Sequence, residues 1–200
     1  MVVGVWTRFI ELVAPATFET VAVRLKPGAA SAFMDIPLDS LTDCVVDANV
    51  IWGTAVGALH DRLANAAGMA ERLTAIRTFL IARMRRPQRI LDGPLTRIAA
   101  AHGRTSIDRL AHDAGVSHRQ LERAFRSHVG VSPKMLSRIA RFQQVVRRTH
   151  SDAAHWADVA ADCGYADQSH LIRDFRQFTG STPAALASAE AELADYFRRR

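Results

Sequence analysis

The chain has only two cysteines, Cys44 and Cys163, among its 200 residues. They are far apart and form no C-x-x-C pair, which excludes a disulfide framework and argues against a zinc site. Both read as small buried residues. The eight histidines include no H-x-x-x-H pair, so a helical metal site is not expected either. No apolar run approaches the roughly 18 residues of a membrane-spanning helix, and the mean hydropathy is −0.02. Met1–Phe9 is too short, and interrupted too early by Arg8, to serve as a signal peptide. A cytoplasmic protein is the expectation, with no cofactor and no metal.

What is present is apolar residues and positive charge. A hydrophobic content of 48% is ample for one large domain or two small ones. The formal charge of +6, with a pI near 10.3, favours polyanionic partners, although charge alone is weak support. The basic excess leans toward the C-terminal half.

In the N-terminal stretch, Phe18–Leu25 alternates apolar and polar residues and ends at Lys-Pro-Gly, the pattern of a half-buried strand entering a turn. Val2–Leu12 is read as a second strand. Ala29–Met34 and Pro37–Leu41 read as short helical turns. Ile51–Ala66 and Met69–Arg86 read as a helical hairpin, with Val56, Leu59 and Leu63 on one face of the first helix and Leu73, Ile76, Leu80 and Met84 on one face of the second. Arg83-Met-Arg-Arg-Pro-Gln-Arg89 marks a linker, because Pro87 halts the helix and the charges favour solvent. An isolated strand pair lacks enough core. The strands therefore either pack on the hairpin or belong to a sheet whose remainder lies upstream of Met1.

The C-terminal half says one thing twice. Leu110–Pro133 and Val159–Pro183 align, and four pairs share one offset: Leu121 with Leu171, Phe125 with Phe175, Gly130 with Gly180 and Pro133 with Pro183. Upstream, Gly115 pairs with Gly164 and Ala111 with Ala160 at an offset smaller by one, so the second copy carries one extra residue just after its glycine. A duplication whose slip is confined to a turn marks two copies of one structural unit.

Each copy reads as helix, tight glycine turn, helix. Pro94–His102, closed by Gly103, prefaces the first unit. Ser106 N-caps Ile107–Ala114, Gly115 suits a positive φ, and Ser117 N-caps a second helix to about His128. Ala111 and Ala160 stand where two helices cross closely, and Val116 and Tyr165 are expected as buried anchors. Leu121, Phe125 and His128 face inward, while Arg119, Glu122, Arg123 and Arg126 face outward. In the second copy Leu171, Phe175 and Phe178 lie inward, and Ser169, Ile172, Arg173 and Arg176 outward. Between the units, Lys134–Arg148 reads as a helix with Met135, Ile139, Phe142 and Val146 on one face and Arg138, Arg141, Arg147 and Arg148 off it. Thr149–Asp152 breaks that helix, and Ala153–Asp162 opens the second unit with Trp156 buried.

Paired arginines on an exposed helix face are usually solvated surface. Here both copies keep them outward directly after a helix-turn-helix turn, where a recognition helix presents side chains to a major groove. Arg reads guanine bidentately, Gln reads adenine, and Ile172 would meet a thymine methyl. Glu122 either accepts from cytosine or pairs with Arg119 or Arg126 along its own helix, and the latter is favoured. Gln168, Ser169 and His170 open the second recognition helix. His118 and His170 suit phosphate or packing contacts better than acid/base chemistry.

The stretches Gly115-Val-Ser-His-Arg-Gln-Leu-Glu-Arg-Ala-Phe125, Gly130-Val-Ser-Pro133, Gly164–Phe175 with its Asp167-Gln-Ser-His170, and Gly180-Ser-Thr-Pro183 resemble the AraC/XylS-type transcription regulators. The resemblance covers about Arg104–Ala187. It implies a mainly α fold, with two helix-turn-helix subdomains joined by a long helix and preceded by a small α+β remnant of a sensor domain. The implied organisation is a partial sensor region over 1–89, a DNA-binding domain over 90–187 and a basic tail over 188–200. It implies double-stranded DNA as partner, more often activation than repression, and RNA polymerase as a second partner at the nucleoid. Carried over by position, the base-reading residues are Arg119, Gln120, Glu122 and Arg123, then Gln168, Ser169, Ile172 and Arg173, with Arg126, His170 and Arg176 beside them. Ile172 stands where a small polar residue is commoner. Upstream, Val23–Gly28, Leu41-Thr-Asp43 and Trp52-Gly53 resemble the end of a sensor domain in the same family, so a small-molecule effector is a further expectation.

Two competing readings follow from the same residues. One is a helical interaction or architectural module whose outward arginines only solubilise it. The other is an enzyme, such as a cysteine-based methyl acceptor of DNA repair, but Cys44 has no neighbouring His, Cys or Glu to activate it.

Overall fold

Short apolar segments without a wide face of their own must share cores, and this chain distributes them over three. The computed structural model describes residues 1–11, 20–85, 89–148, 156–183 and 185. Strands β1 (Val2–Val3) and β2 (Val45–Val46) form an antiparallel pair, Val2 opposite Val46. The 3-10 turns Ala30–Ala32 and Leu38–Leu41 precede β2, and helices α1 (Ala48–Trp52), α2 (Ala55–Ala64) and α3 (Met69–Ile81) follow it. Val2, Met34, Leu38, Val56 and Phe79 share the first core. The strand pair thus packs on the helical hairpin.

Several N-terminal expectations are corrected. Residues 20–25 form no strand, and Phe18 and Glu19 lie outside the described residues. The strand expected over Val2–Leu12 is only two residues long among those described, because β2 offers only two partners. Gly53, at φ 59, ends α1 after Trp52 and divides the expected first helix. On α3 the buried residues are Ala75 and Phe79, Ile76 and Leu80 are half-buried with Leu80 against the core, and Leu73 is exposed; Met84, expected on the same helix, lies beyond its end at Ile81 and is exposed. Phe79 is held edge-to-face against Trp52, with centroids 5.4 Å apart. Cys44 is exposed rather than buried; Cys163 is buried. The basic run is partly committed locally. Arg83 lies 3.6 Å over the Phe79 ring and Arg85 pairs with Asp35 at 2.5 Å on the exposed surface.

The C-terminal half holds the other two cores. Helix α4 (Asp92–Ala100) and the pair α5 (Ile107–Asp113) and α6 (His118–Val129) surround Ile98, Leu110, Leu121 and Phe125. Helix α7 (Pro133–Arg148) leads to α8 (Trp156–Asp162) and α9 (Gln168–Thr179), which enclose Val145, Cys163, Leu171 and Phe175. Leu136 of α7 enters the earlier of these cores and Phe142, Val145 and Val146 the later, so one helix is shared by both units. Of the expected stripe Met135, Ile139, Phe142 and Val146, the last two are buried and the first two half-buried, and Leu136 and Val145 join the buried face. Residues 149–155, which include the expected break, lie outside the described residues.

Candidate nucleic-acid interface

The two units are built alike. In the first, Gly115 takes φ +65, and Val116 N–H donates to the Ala111 carbonyl at 3.1 Å. In the second, Gly164 takes φ +78, and Tyr165 N–H donates to the Ala160 carbonyl at 2.9 Å. Both glycines hold the left-handed conformation that other residues adopt at a cost. Ala111 and Ala160 are buried beneath these turns. The extra residue of the second copy falls between Tyr165 and the helix cap. Tyr165 is a buried anchor, whereas the smaller Val116 is only half-buried.

The caps differ in chemistry. The Ser117 hydroxyl accepts from the Gln120 amide, and the Gln120 side-chain oxygen accepts from Ser117 N–H at 2.9 Å, a reciprocal capping box. The side chain of Gln120, expected at a base, is folded back onto its own helix start. Asp167 caps α9, its carboxylate accepting from His170 N–H at 2.6 Å. The His170 ring stands edge-on to Tyr165, with centroids 5.1 Å apart, a packing contact.

On α6, Arg119, Arg123 and Arg126 are exposed and Glu122 is half-buried. Arg126 Nε lies 3.5 Å from Glu122 Oε2. That pairing occupies the carboxylate along its own helix. On α9, Gln168, Ser169, Arg173 and Arg176 are exposed. Ile172 is not open on the outward face: it is half-buried and packed against the second core. Its branched apolar side chain gains more by covering Phe175 and its neighbours than by facing water. Each helix thus presents an exposed arginine face, Arg119/Arg123/Arg126 on α6 and Arg173/Arg176 on α9, while the Gln120 side chain is held at its helix start and Ile172 is packed on the core.

Arg138 and Arg141 of α7 also turn inward. Arg138 donates to Asp174 Oδ1 through Nε (3.1 Å) and NH2 (2.6 Å), and through NH2 to Gln177 Oε1 (2.5 Å). Asp174 is 2% exposed while Arg138 is half-buried, so the buried carboxylate depends on this cation. Arg141 lies 5.4 Å from the Tyr165 ring centroid. Burial first, and then the neighbouring Asp174 charge, raise the Tyr165 hydroxyl well above its ordinary pKa. The sequence reading missed Asp174 and Gln177. The available signal was an acidic residue three positions after Leu171 on the inward face, which calls for a buried cation from another element.

Among the described residues no group of His, Cys, Asp and Glu could hold a metal ion, and no helix is long and apolar enough to cross a membrane.

Comparison with known proteins places relatives on both halves. A family described as a helix-turn-helix domain matches residues 110–189, and a domain of unknown function (DUF6597) matches residues 1–47. The HTH-type transcriptional regulators GbdR of Pseudomonas aeruginosa strains UCBPP-PA14 and PAO1 are each 31% identical over 80 residues, 38% of this chain and 21% of the relative. The chain thus spans about a fifth of the length of these curated relatives. No solved structure matches. With the duplicated helix, glycine turn and capped second helix in place, residues 110–189 match a helix-turn-helix domain family, and the chain is similar there to AraC/XylS-type transcription regulators.

Proposed function

We propose that this protein is a sequence-specific DNA-binding transcription regulator, more an activator than a repressor, that inserts α6 and α9 into successive major grooves. In this reading residues 1–89 are a sensor or regulatory region, 90–187 the DNA-binding domain and 188–200 a basic tail. The observation that carries the reading is the matched pair of exposed arginines. Arg123 and Arg126 of α6 stand at the positions of Arg173 and Arg176 of α9, on two 12-residue helices joined through a 16-residue helix that enters both cores. At 1.5 Å per residue α7 is about 24 Å long, a scale compatible with grooves roughly 34 Å apart. Arg119, Arg123 and Arg173 are assigned to base edges, Gln168 and Ser169 to bases or backbone, and Arg126 and Arg176 to phosphates. RNA polymerase is the partner an activator would engage, with the nucleoid as the place of action.

Selecting bound sequences from a random duplex pool tests this directly. Two unequal half-sites roughly 10 base pairs apart are expected, with affinity falling as salt rises. Arg173→Ala should relax preference at one base step, by about 1–3 kcal/mol. Equal loss on all sequences, or binding indifferent to salt, would favour a non-reading helical module.

A further inference from the structure

A segment of the N-terminal region reaches across both helix-turn-helix units. Val5 packs against the core of the first unit. Two residues on, the Thr7 carbonyl accepts from Gln177 Nε2 of α9 at 2.8 Å, and Phe9 N–H donates to the Gln177 carbonyl at 2.7 Å. Phe9 also lies against the left-handed Gly180 that ends α9, where an added Cβ would come within 2.9 Å of its ring. The other side of the segment is held by Asp43. Its carboxylate accepts from Thr7 N–H at 2.6 Å and from the Thr7 hydroxyl at 2.7 Å.

Gln177 is the point where three parts meet. Its side-chain oxygen is held by Arg138 of α7, its side-chain nitrogen by Thr7, and its backbone belongs to α9. Arg138 is in turn fixed by buried Asp174. A side-chain amide used at both ends cannot shift without breaking one of the two bonds, and its partners are part-buried, where replacement by water is incomplete. The second unit touches the first through α7, whose ends belong to different cores, and through Arg104, which donates to the Asp162 carbonyl at 3.3 Å and lies against Gly164 in the α8–α9 turn. The segment Val5–Phe9 adds a tether at the C-terminal part of α9, and tethers at separate points restrict a relative rotation that fewer leave open.

We propose that Gln177 is a positioning residue which, through the segment Val5–Phe9 pinned by Asp43, fixes α9 relative to α6 and thereby selects the spacing of the two DNA half-sites. This rests on the DNA-reading assignment above, but it concerns spacing and not base identity. Gln177 itself need touch no base.

The test uses the full chain and two readouts. Spin labels at the exposed positions of Asp108 and Asp158, introduced as cysteines with Cys44→Ser, report the distance between the units without DNA. Gln177→Leu keeps the side-chain bulk and removes both side-chain bonds. Asp43→Gly removes the two carboxylate bonds to Thr7 from outside either unit, keeps the backbone bond from Asp43 N–H to the Val5 carbonyl, and sits at φ +56 where glycine is unstrained. Both variants should broaden the distance distribution while the helical circular dichroism stays unchanged. On duplexes whose half-sites are moved apart by single base pairs, both should lose about three- to tenfold of the preference for the best spacing, the range that one hydrogen bond supports. Base preference within each half-site should stay as it was.

A distribution as narrow as that of the parent in both variants overturns the proposal, whatever happens on DNA. Broadened distances with an unaltered spacing preference overturn its functional half. If the parent chooses no duplex sequence, the regulator reading fails, while the distances still decide whether Gln177 positions α9.

Discussion

The two helix-turn-helix units share a backbone plan and differ in what supports it. The first rests on aliphatic packing: Leu91, Ile98, Leu110 and Leu121 surround Phe125, and α4 closes the core from the N-terminal side. The second is aromatic, with Phe142 edge-on to Phe175 at 5.3 Å between centroids and Trp156 against the same ring at 6.3 Å. It also holds a buried carboxylate, Asp174, against Arg138, whereas the Arg97–Asp113 pair of the first unit is part-exposed on both sides. The recognition helices differ in the same sense. On α6 the cap is a neutral serine–glutamine box and the outward face carries its own carboxylate, Glu122, whereas α9 begins at the charged Asp167 and its outward arginines face no carboxylate three or four residues away. Duplication conserves the positions that set backbone geometry and frees those that set support and reading.

The comparison breaks most visibly at Arg138. Arg138→Met should destabilise the second unit by about 3 kcal/mol, because it leaves the Asp174 carboxylate buried without its cation. Chemical denaturation should show the loss, and Arg126→Ala on the exposed pair of α6 should change stability by less than about 0.5 kcal/mol. A smaller effect separates packing from reading at Ile172. Ile172→Ala should cost about 1–2 kcal/mol of stability, discounted from full burial, and leave base preference unaltered in duplex selection. A selective change at one thymine without loss of stability would return Ile172 to the reading face. The smallest effect sharpens the difference in caps. Ser117→Ala should cost about 1 kcal/mol and release Gln120, so any adenine preference gained by the first half-site in selection is the mark of that release.

Legibility followed the range of the interactions. The glycine turns, the caps at Ser106 and Ser117, and the inward residues Leu121, Phe125, Leu171 and Phe175 were readable because each is dictated within a few residues of chain. The N-terminal region was less so. An apolar stripe such as Leu73–Ile76–Leu80–Met84 says that a helix has a sticky side, but Phe79 and Trp52 chose a different side to bury. The candidate interface was legible as a set of outward arginines and not as a set of contacts. Glu122, Gln120, Ile172 and Arg138 all had alternatives whose energies differ by about a hydrogen bond or a partly buried side chain. Local spacing does not resolve differences of that size.

The sequence by itself determined that there are two helix-turn-helix units, the caps of the first, the central core residues Leu121, Phe125, Leu171 and Phe175, and which helix faces carry arginine. These follow from the 3.6-residue period, from the φ that glycine permits and from the side chains that cap helices. The tertiary structure alone decided that Arg138 turns inward to Asp174, that Gln177 joins α9 to Thr7, and that Val5–Phe9 spans both units. Those partners lie far apart in the chain, and only the folded arrangement makes a buried charge or an amide meet the group that compensates its desolvation.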